Sequence, residues 1–251
     1  PEINSSHLAL IDHQPYEGAI VTNPNCSTIF LAMALAPLHR AFGLQAVNVT
    51  TMQAISGSGY PGVPSMDIMG NIIPYIPGEE EKVERETLKI IGGLGGDHIV
   101  PADIGVSAQC TRVPVVDGHT ETLSFKLSQS VGLDEVRDAL DGFRGLPQER
   151  ELPSAPSHPI LVLDAPDHPQ PARDIWLEKG MATSVGRLRE CPVLDYRMVI
   201  LGHNTVRGAA GASILNAETL VSEGYISRGT LNKRPAHVHS EERVGLADRG
   251  W

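Results

Sequence analysis

Cys26 stands in the stretch VTNPNCSTIFLAM, between an Asn-Pro-Asn turn and an apolar run, with two hydroxyl residues directly behind it. The thiolate is the nucleophile of cysteine chemistry, and a helix N-terminus lowers a cysteine pKa from its free value of about 8.5 by presenting unpaired N–H groups and the positive dipole end. The same amides would stabilise an oxyanion on a carbonyl attacked by the sulfur. A buried structural cysteine is the alternative; the hydrophilic neighbours favour chemistry. A thiol nucleophile needs a base within hydrogen-bond reach, usually histidine. Of the ten histidines, His119 in RVPVVDGHTE lies just past an Asp-Gly turn at the mouth of a strand, with Arg112 on the strand before it. Either is also acceptable as a solvated surface residue. Together they suggest a base next to a bidentate clamp for carboxylate or phosphate. Glu79 opens an acidic cluster of the kind helix N-termini favour, and Lys82 shares its helix face, so the pair would present opposite charges to a zwitterionic ligand.

Other motifs carry less. Gly57-Ser58-Gly59-Tyr60-Pro61-Gly62 satisfies G-x-G-x-x-G, but Pro61 and Pro64 block the helix that a dinucleotide fingerprint needs after its third glycine. Those glycines instead let a loop approach a ligand or a neighbouring subunit closely. His237 and His239 form an HVH in a polar tail without nearby carboxylate or cysteine ligands, so no metal site is expected. The three cysteines have no C-x-x-C spacing and leave one unpaired in any disulfide scheme, which fits a reducing cytoplasm.

The elements that must position these residues follow from periodicity. Residues 27–40 are apolar on nearly every face, as in a buried helix; residues 44–55, rich in Val and Thr, predict a strand. Residues 78–91 predict a helix with a charged face, and residues 105–130 two strands that would lie side by side in a sheet. An amphipathic helix at 133–143, a Pro-rich linker at 152–159, strands near 160–163, 183–189 and 196–201, and a last helix at 206–222 complete the ordered part. The order predicts an α+β domain with a mixed or antiparallel sheet. At 251 residues and 41% hydrophobic content the chain can bury a sizeable core, and its net charge of -10 argues against nucleic acid and anionic membranes as partners. No apolar run is long enough to span a bilayer, and the opening PEINSSHLAL has no signal-peptide pattern.

Five ordered blocks, NPNCST, MQAISGSGYPGV, EEEKVERETLKI, CTRVPVVDGH and HNTVRGAAGASILNAE, resemble the aspartate-semialdehyde dehydrogenases, in particular the archaeal and fungal type, over roughly residues 1–226. The resemblance implies a soluble homodimer or homotetramer in which Cys26 attacks the acyl phosphate of L-aspartyl 4-phosphate, expels phosphate and leaves a thioester that NADPH reduces to the semialdehyde. It implies His119 as acid/base partner, Arg112 on the substrate α-carboxylate, Glu79 on its amino group, Lys82 at the phosphate, Gln53 orienting the substrate and Asn204 near the nicotinamide. It also implies a catalytic and dimerisation domain like the C-terminal domain of glyceraldehyde-3-phosphate dehydrogenase.

The family places a Rossmann domain with a Gly-rich phosphate loop before the nucleophile, and this sequence shows neither. The expectation is therefore a truncated or incompletely recorded sequence: residues 1–25 a remnant of the nucleotide-binding domain, 26–203 the catalytic and dimerisation domain, 204–226 a C-terminal helix that packs on the nucleotide-binding domain, and 227–251 a polar tail. Three alternatives stay open: a malonyl-CoA reductase-like enzyme acting on an acyl thioester, a non-catalytic dimerisation module, and a cysteine hydrolase, the last disfavoured because no orienting Asn or Asp for His119 can be named.

Overall fold

The computed structural model describes residues 1–227 and the backbone of Thr230–Leu231. The HVH and most of the expected polar tail lie outside the described residues.

A buried helix, α1 (Cys26–Phe42), runs behind a six-stranded sheet. It is covered on all sides from Ser27 to Leu38, which is why its sequence shows no polar stripe. Its start is set by Asn25, whose Oδ1 accepts from the Ser27 and Thr28 amides at 2.9 and 3.1 Å. The sheet strands are β1 (Leu44–Gln53), β2 (Gly105–Arg112), β3 (His119–Leu127), β4 (Ile160–Leu163), β5 (Thr183–Glu190) and β6 (Tyr196–Gly202). Their spatial order is β2-β1-β3-β6-β5-β4; β1 with β2 and β4 with β5 are parallel, the other pairs antiparallel, so the sheet is mixed.

One expectation is overturned here. The strands at 105–112 and 119–127 are not neighbours, because β1 lies between them, aligning Gln53 with Arg112 on one side and Met52 with Thr120 on the other. The linker Val113–Gly118 does not make a tight hairpin but bonds back to residues 53–56, as in Val113 N to Gln53 O and Ile55 N to Val115 O.

The inner sheet face presents Val47, Val49, Leu123, Phe125, Met198 and Ile200 to Phe30, Leu31 and Leu35 of α1. Contact is closest at Gly202, where a Cβ would fall 2.0 Å from the Phe30 ring. On the open edge of β2 lies α2 (Glu79–Ile91), which begins after Gly78 in the left-handed conformation. Its acids reach the edge: Cys110 N donates to Glu80 Oε1 and Ala108 N to Glu84 Oε1, both at 3.0 Å. A further amphipathic helix, α3 (Leu133–Asp141), inserts Val136 and Leu140 into the same core. Residues 206–222 form a π-helical turn at Val206–Ala210 followed by α4 (Gly211–Ser222).

The opening segment and α4 share a smaller core of Ile11, Leu220 and Tyr225. Beside it Glu2 and Arg207 form a buried ion pair at 2.7 Å. Burial alone would raise the Glu2 pKa, but the Arg207 guanidinium beside it pulls it down.

Candidate active site

The tip of α1 and the C-terminal ends of β1 and β2 converge with the start of β3. Cys26 Sγ lies 3.1 Å from His119 Nε2. Behind the ring, the Ala54 amide donates to His119 Nδ1 at 3.0 Å, and the Ala54 carbonyl accepts from Arg112 Nη1 at 2.8 Å. One peptide residue at the end of β1 therefore holds both the imidazole and the guanidinium, and all three are buried. The loop after Ala54 presses in from the other side: a Cβ on Gly57 would meet Arg112 Nη1 at 2.8 Å and His119 Cε1 at 2.9 Å. The glycine-rich stretch was expected to approach a ligand or a neighbouring subunit; Gly57 instead packs on the chain's own Arg112 and His119.

Glu79 reaches the same place from α2. Its Oε1 accepts from Asn25 Nδ2 at 2.7 Å and from Gln53 Nε2 at 2.9 Å, and Gln53 also donates to Thr51 Oγ1 at 3.3 Å. Gln53 is thus bonded to Glu79, with its own Oε1 not engaged among the described residues. Lys82 is exposed one turn further along α2 and, among the described residues, forms no hydrogen bond or ion pair with this cluster. Asn204, just after β6, accepts from Gly118 N and donates to Ser56 Oγ, both at 2.8 Å, which ties the turn before His119 to the glycine loop.

The electrostatics depart from one expectation. A helix-tip cysteine was expected to have a lowered pKa; burial and the charge of Glu79 instead push the Cys26 thiol up to about 11, against smaller opposing contributions from the Ser27 and Cys26 amides and Arg112. Part of the reason is that the Ser27 and Thr28 amides are already shared with the Asn25 cap. His119 is driven down to about 3 by burial and then by the Arg112 charge. The ligand-free site therefore pairs a neutral thiol with a neutral imidazole, beside a guanidinium and a carboxylate.

Several site groups escape a reading by residue type. Asn25 was readable as a helix cap but not as the donor that fixes Glu79, and the Ala54 peptide has no sequence signature at all. Gly208 is another: a Cβ there would lie 3.0 Å from Cys26 Cβ. Among the described residues no group of His, Cys, Asp and Glu is placed to hold a metal ion.

A thiol and an imidazole at the tip of a central helix, beside an arginine and an acid on an α+β sheet, form an arrangement chemically suited to cysteine-dependent acyl transfer. The chain belongs to the semialdehyde dehydrogenase family, whose dimerisation domain matches residues 35–207. It is 53% identical over 226 residues to the aspartate-semialdehyde dehydrogenase of Methanothermobacter thermautotrophicus, covering 88% of this chain and 65% of that protein. It is 49% identical to that of Archaeoglobus fulgidus, covering 90% and 66%. The Candida albicans aspartate-semialdehyde dehydrogenase, solved with NADP, superposes with a TM-score of 0.81 at 42% identity, over 89% of this chain and 66% of that one. The chain thus spans about two thirds of the length of these relatives.

Proposed function

We propose that the chain is the catalytic and dimerisation part of an NADP-dependent aspartate-semialdehyde dehydrogenase, converting L-aspartyl 4-phosphate to L-aspartate 4-semialdehyde through a thioester on Cys26. The observation that carries this reading is the 3.1 Å approach of Cys26 to His119 within a cluster that also holds Arg112 and Glu79. Arg112 suits the substrate α-carboxylate because a guanidinium matches a carboxylate in charge and geometry. Glu79 suits the α-ammonium, with Oε1 taken by Asn25 and Gln53 and Oε2 left for the ligand. Lys82, exposed on the same helix, is the cation for the phosphate. His119 is the acid/base partner, within hydrogen-bond reach of the sulfur.

The cofactor is NADP, as named for the Candida albicans neighbour. The described residues do not fit a dinucleotide by themselves: Asn204, the candidate contact to its nicotinamide, is buried with both ends of its amide bonded to Gly118 and Ser56. No step through the cofactor is therefore assigned to this chain. The protein assembles as a homodimer or homotetramer, a reading the family's dimerisation domain supports, and its three unpaired cysteines suit the cytoplasm. Among the described residues no helix is long and apolar enough to cross a membrane.

The test is acylation. Incubating the chain with L-aspartyl 4-phosphate should release phosphate and leave an aspartyl adduct on Cys26, seen by peptide mass spectrometry and lost in Cys26→Ala. An adduct formed from malonyl-CoA but not from aspartyl phosphate would transfer the site to the acyl-thioester reductases. No adduct from either, in folded protein, would leave a non-catalytic module.

A further inference from the structure

We propose that the buried Glu2–Arg207 pair is a positioning device for the nucleophile: it holds the π-helical turn Val206–Ala210 against the tip of α1 and so sets where the Cys26 sulfur stands. The inference rests on the reading of Cys26 as the residue that is acylated.

Three successive residues of the turn bear on the segment that carries the thiol. Arg207 Nη2 donates to Met33 Sδ at 3.1 Å, about two turns further along α1 than Cys26. Gly208 backs onto the nucleophile so closely that a Cβ there would lie 3.0 Å from Cys26 Cβ. The Ala209 carbonyl accepts from Asn23 Nδ2 at 2.7 Å, in the turn that leads into the helix. Just before the turn, Asn204 accepts from Gly118 N, the residue that precedes His119. One short segment thus supports, from behind, both the sulfur and the ring that faces it.

The turn is wound from each N–H to the carbonyl five residues back: Gly208 N bonds His203 O at 3.0 Å and Ala210 N bonds Thr205 O at 3.2 Å. Backbones adopt this winding rarely, mostly as single turns at functional sites. Its support comes through Arg207, which is 1% exposed, with Nη1 on Glu2 Oε1 at 2.7 Å and Nε without a partner among the described residues. A buried ion pair of this kind is often no more stabilising than well-packed apolar side chains, so fold stability alone does not account for it. Glu2 is itself fixed from elsewhere. A Cβ on Gly145 would fall 2.6 Å from Glu2 O, and Arg40 of α1 donates to the next carbonyl, Ile3 O. The residues proposed to grip the substrate, Gln53, Glu79 and Arg112, stand on β1, α2 and β2. Loss of the pair should therefore displace the sulfur and leave the substrate clamp intact, a change in rate rather than in affinity.

The test replaces the pair by neutral side chains of similar length, Glu2→Gln with Arg207→Met, which leaves no buried charge unpaired. In folded double variant, the saturating rate of Cys26 acylation should fall about 10-fold or more, while the half-saturating concentration of aspartyl phosphate changes by less than about 3-fold. A raised half-saturating concentration at an unchanged rate would place the pair in substrate binding and overturn the proposal. Adding Gly208→Ala to the double variant should deepen the loss by less than about 3-fold, because both changes act through one contact; a further full loss of about 10-fold would show that Gly208 is seated independently of the pair. Glu2→Asp keeps the charge but draws the carboxylate back by one methylene. It should give the same pattern at smaller amplitude, and it decides the matter if the double variant does not fold. A measurement without substrate completes the test. Iodoacetamide should label Cys26 about 3-fold faster or more in the double variant, with Cys191 labelling unchanged as the internal reference. Wild-type rates of both labelling and acylation in folded variants would remove the pair from the account. If aspartyl phosphate fails to acylate even the wild-type chain, the substrate reading falls, and the labelling comparison alone decides: faster labelling of Cys26 upholds the positioning role and unchanged labelling ends it.

Discussion

Gln53 and Glu79 meet in a 2.9 Å hydrogen bond that, with Asn25, leaves a single oxygen of the Glu79 carboxylate for a ligand. A hydrogen bond to a charged group contributes about 1.5–3 kcal/mol, which corresponds to roughly 10- to 100-fold in affinity. Gln53→Met should therefore raise the half-saturating concentration of aspartyl phosphate in the acylation assay by about 10-fold or more, with a smaller change in the rate at saturation. Gln53→Glu, which sets a second carboxylate against the first, should be worse. Equal losses in both constants would place Gln53 at the reacting carbon instead.

Gly208 backs directly onto the nucleophile, its notional Cβ 3.0 Å from Cys26 Cβ and 3.5 Å from Phe30 Cζ. Gly208→Ala must shift the cysteine by a few tenths of an ångström, and overpacking of this kind costs about 1–3 kcal/mol. Acylation should fall about 10-fold or more, because the attack depends on sub-ångström placement, while the fold survives. Unchanged acylation in a folded variant would show that Cys26 has slack.

The thiols should react in an order opposite to their roles. Cys26 is held up at about 11, whereas the half-buried Cys191 is lowered by the amides of Leu194 and Val193, the former donating to its sulfur at 3.4 Å. In ligand-free protein at neutral pH, iodoacetamide should label Cys191 before Cys26, as read by peptide mass spectrometry. Cys26 labelling should then climb with each pH unit. Early, pH-independent labelling of Cys26 would contradict a neutral thiol.

Glu121 is fully buried on β3 with neither carboxylate oxygen bonded, and burial, then the charge of Glu79, raises its pKa well above the ordinary 4.5. Above that ordinary value the unfolded chain releases the proton while the folded chain keeps it, so folding stability falls as pH rises, by up to about 1.4 kcal/mol per pH unit. Glu121→Gln removes this term. Its melting temperature should match wild type near pH 4 and exceed it increasingly towards pH 8; a constant difference would mean that Glu121 is paired and ionised.

How far these features could be read beforehand depended on whether a periodic pattern announced them. The buried helix from Cys26 and the alternation that turns Glu121, Leu123, Phe125 and Leu127 to one side of β3 follow from spacing alone. Strand neighbours did not, since the placing of β1 between β2 and β3 depends on long-range pairing that local sequence does not encode. Cys26, His119, Arg112 and Glu79, singled out by residue type, come together, and Gln53, which only the family resemblance pointed to, joins them. The cysteine pKa was misjudged because burial and a carboxylate from another helix outweigh the local amides. The Ala54 peptide was invisible because every residue carries one.

The insertion of β1 also orders events in time. Gln53, Arg112 and His119 align only after the chain from residues 54–104 has left the sheet and returned to lie parallel to β1. Closing such a loop is entropically slow, so the sheet should be rate-limiting in folding and the helix tip should form before anything faces it. A nascent chain therefore carries the thiol without its imidazole and guanidinium partners until the edge strand has docked, so the site is completed late in folding.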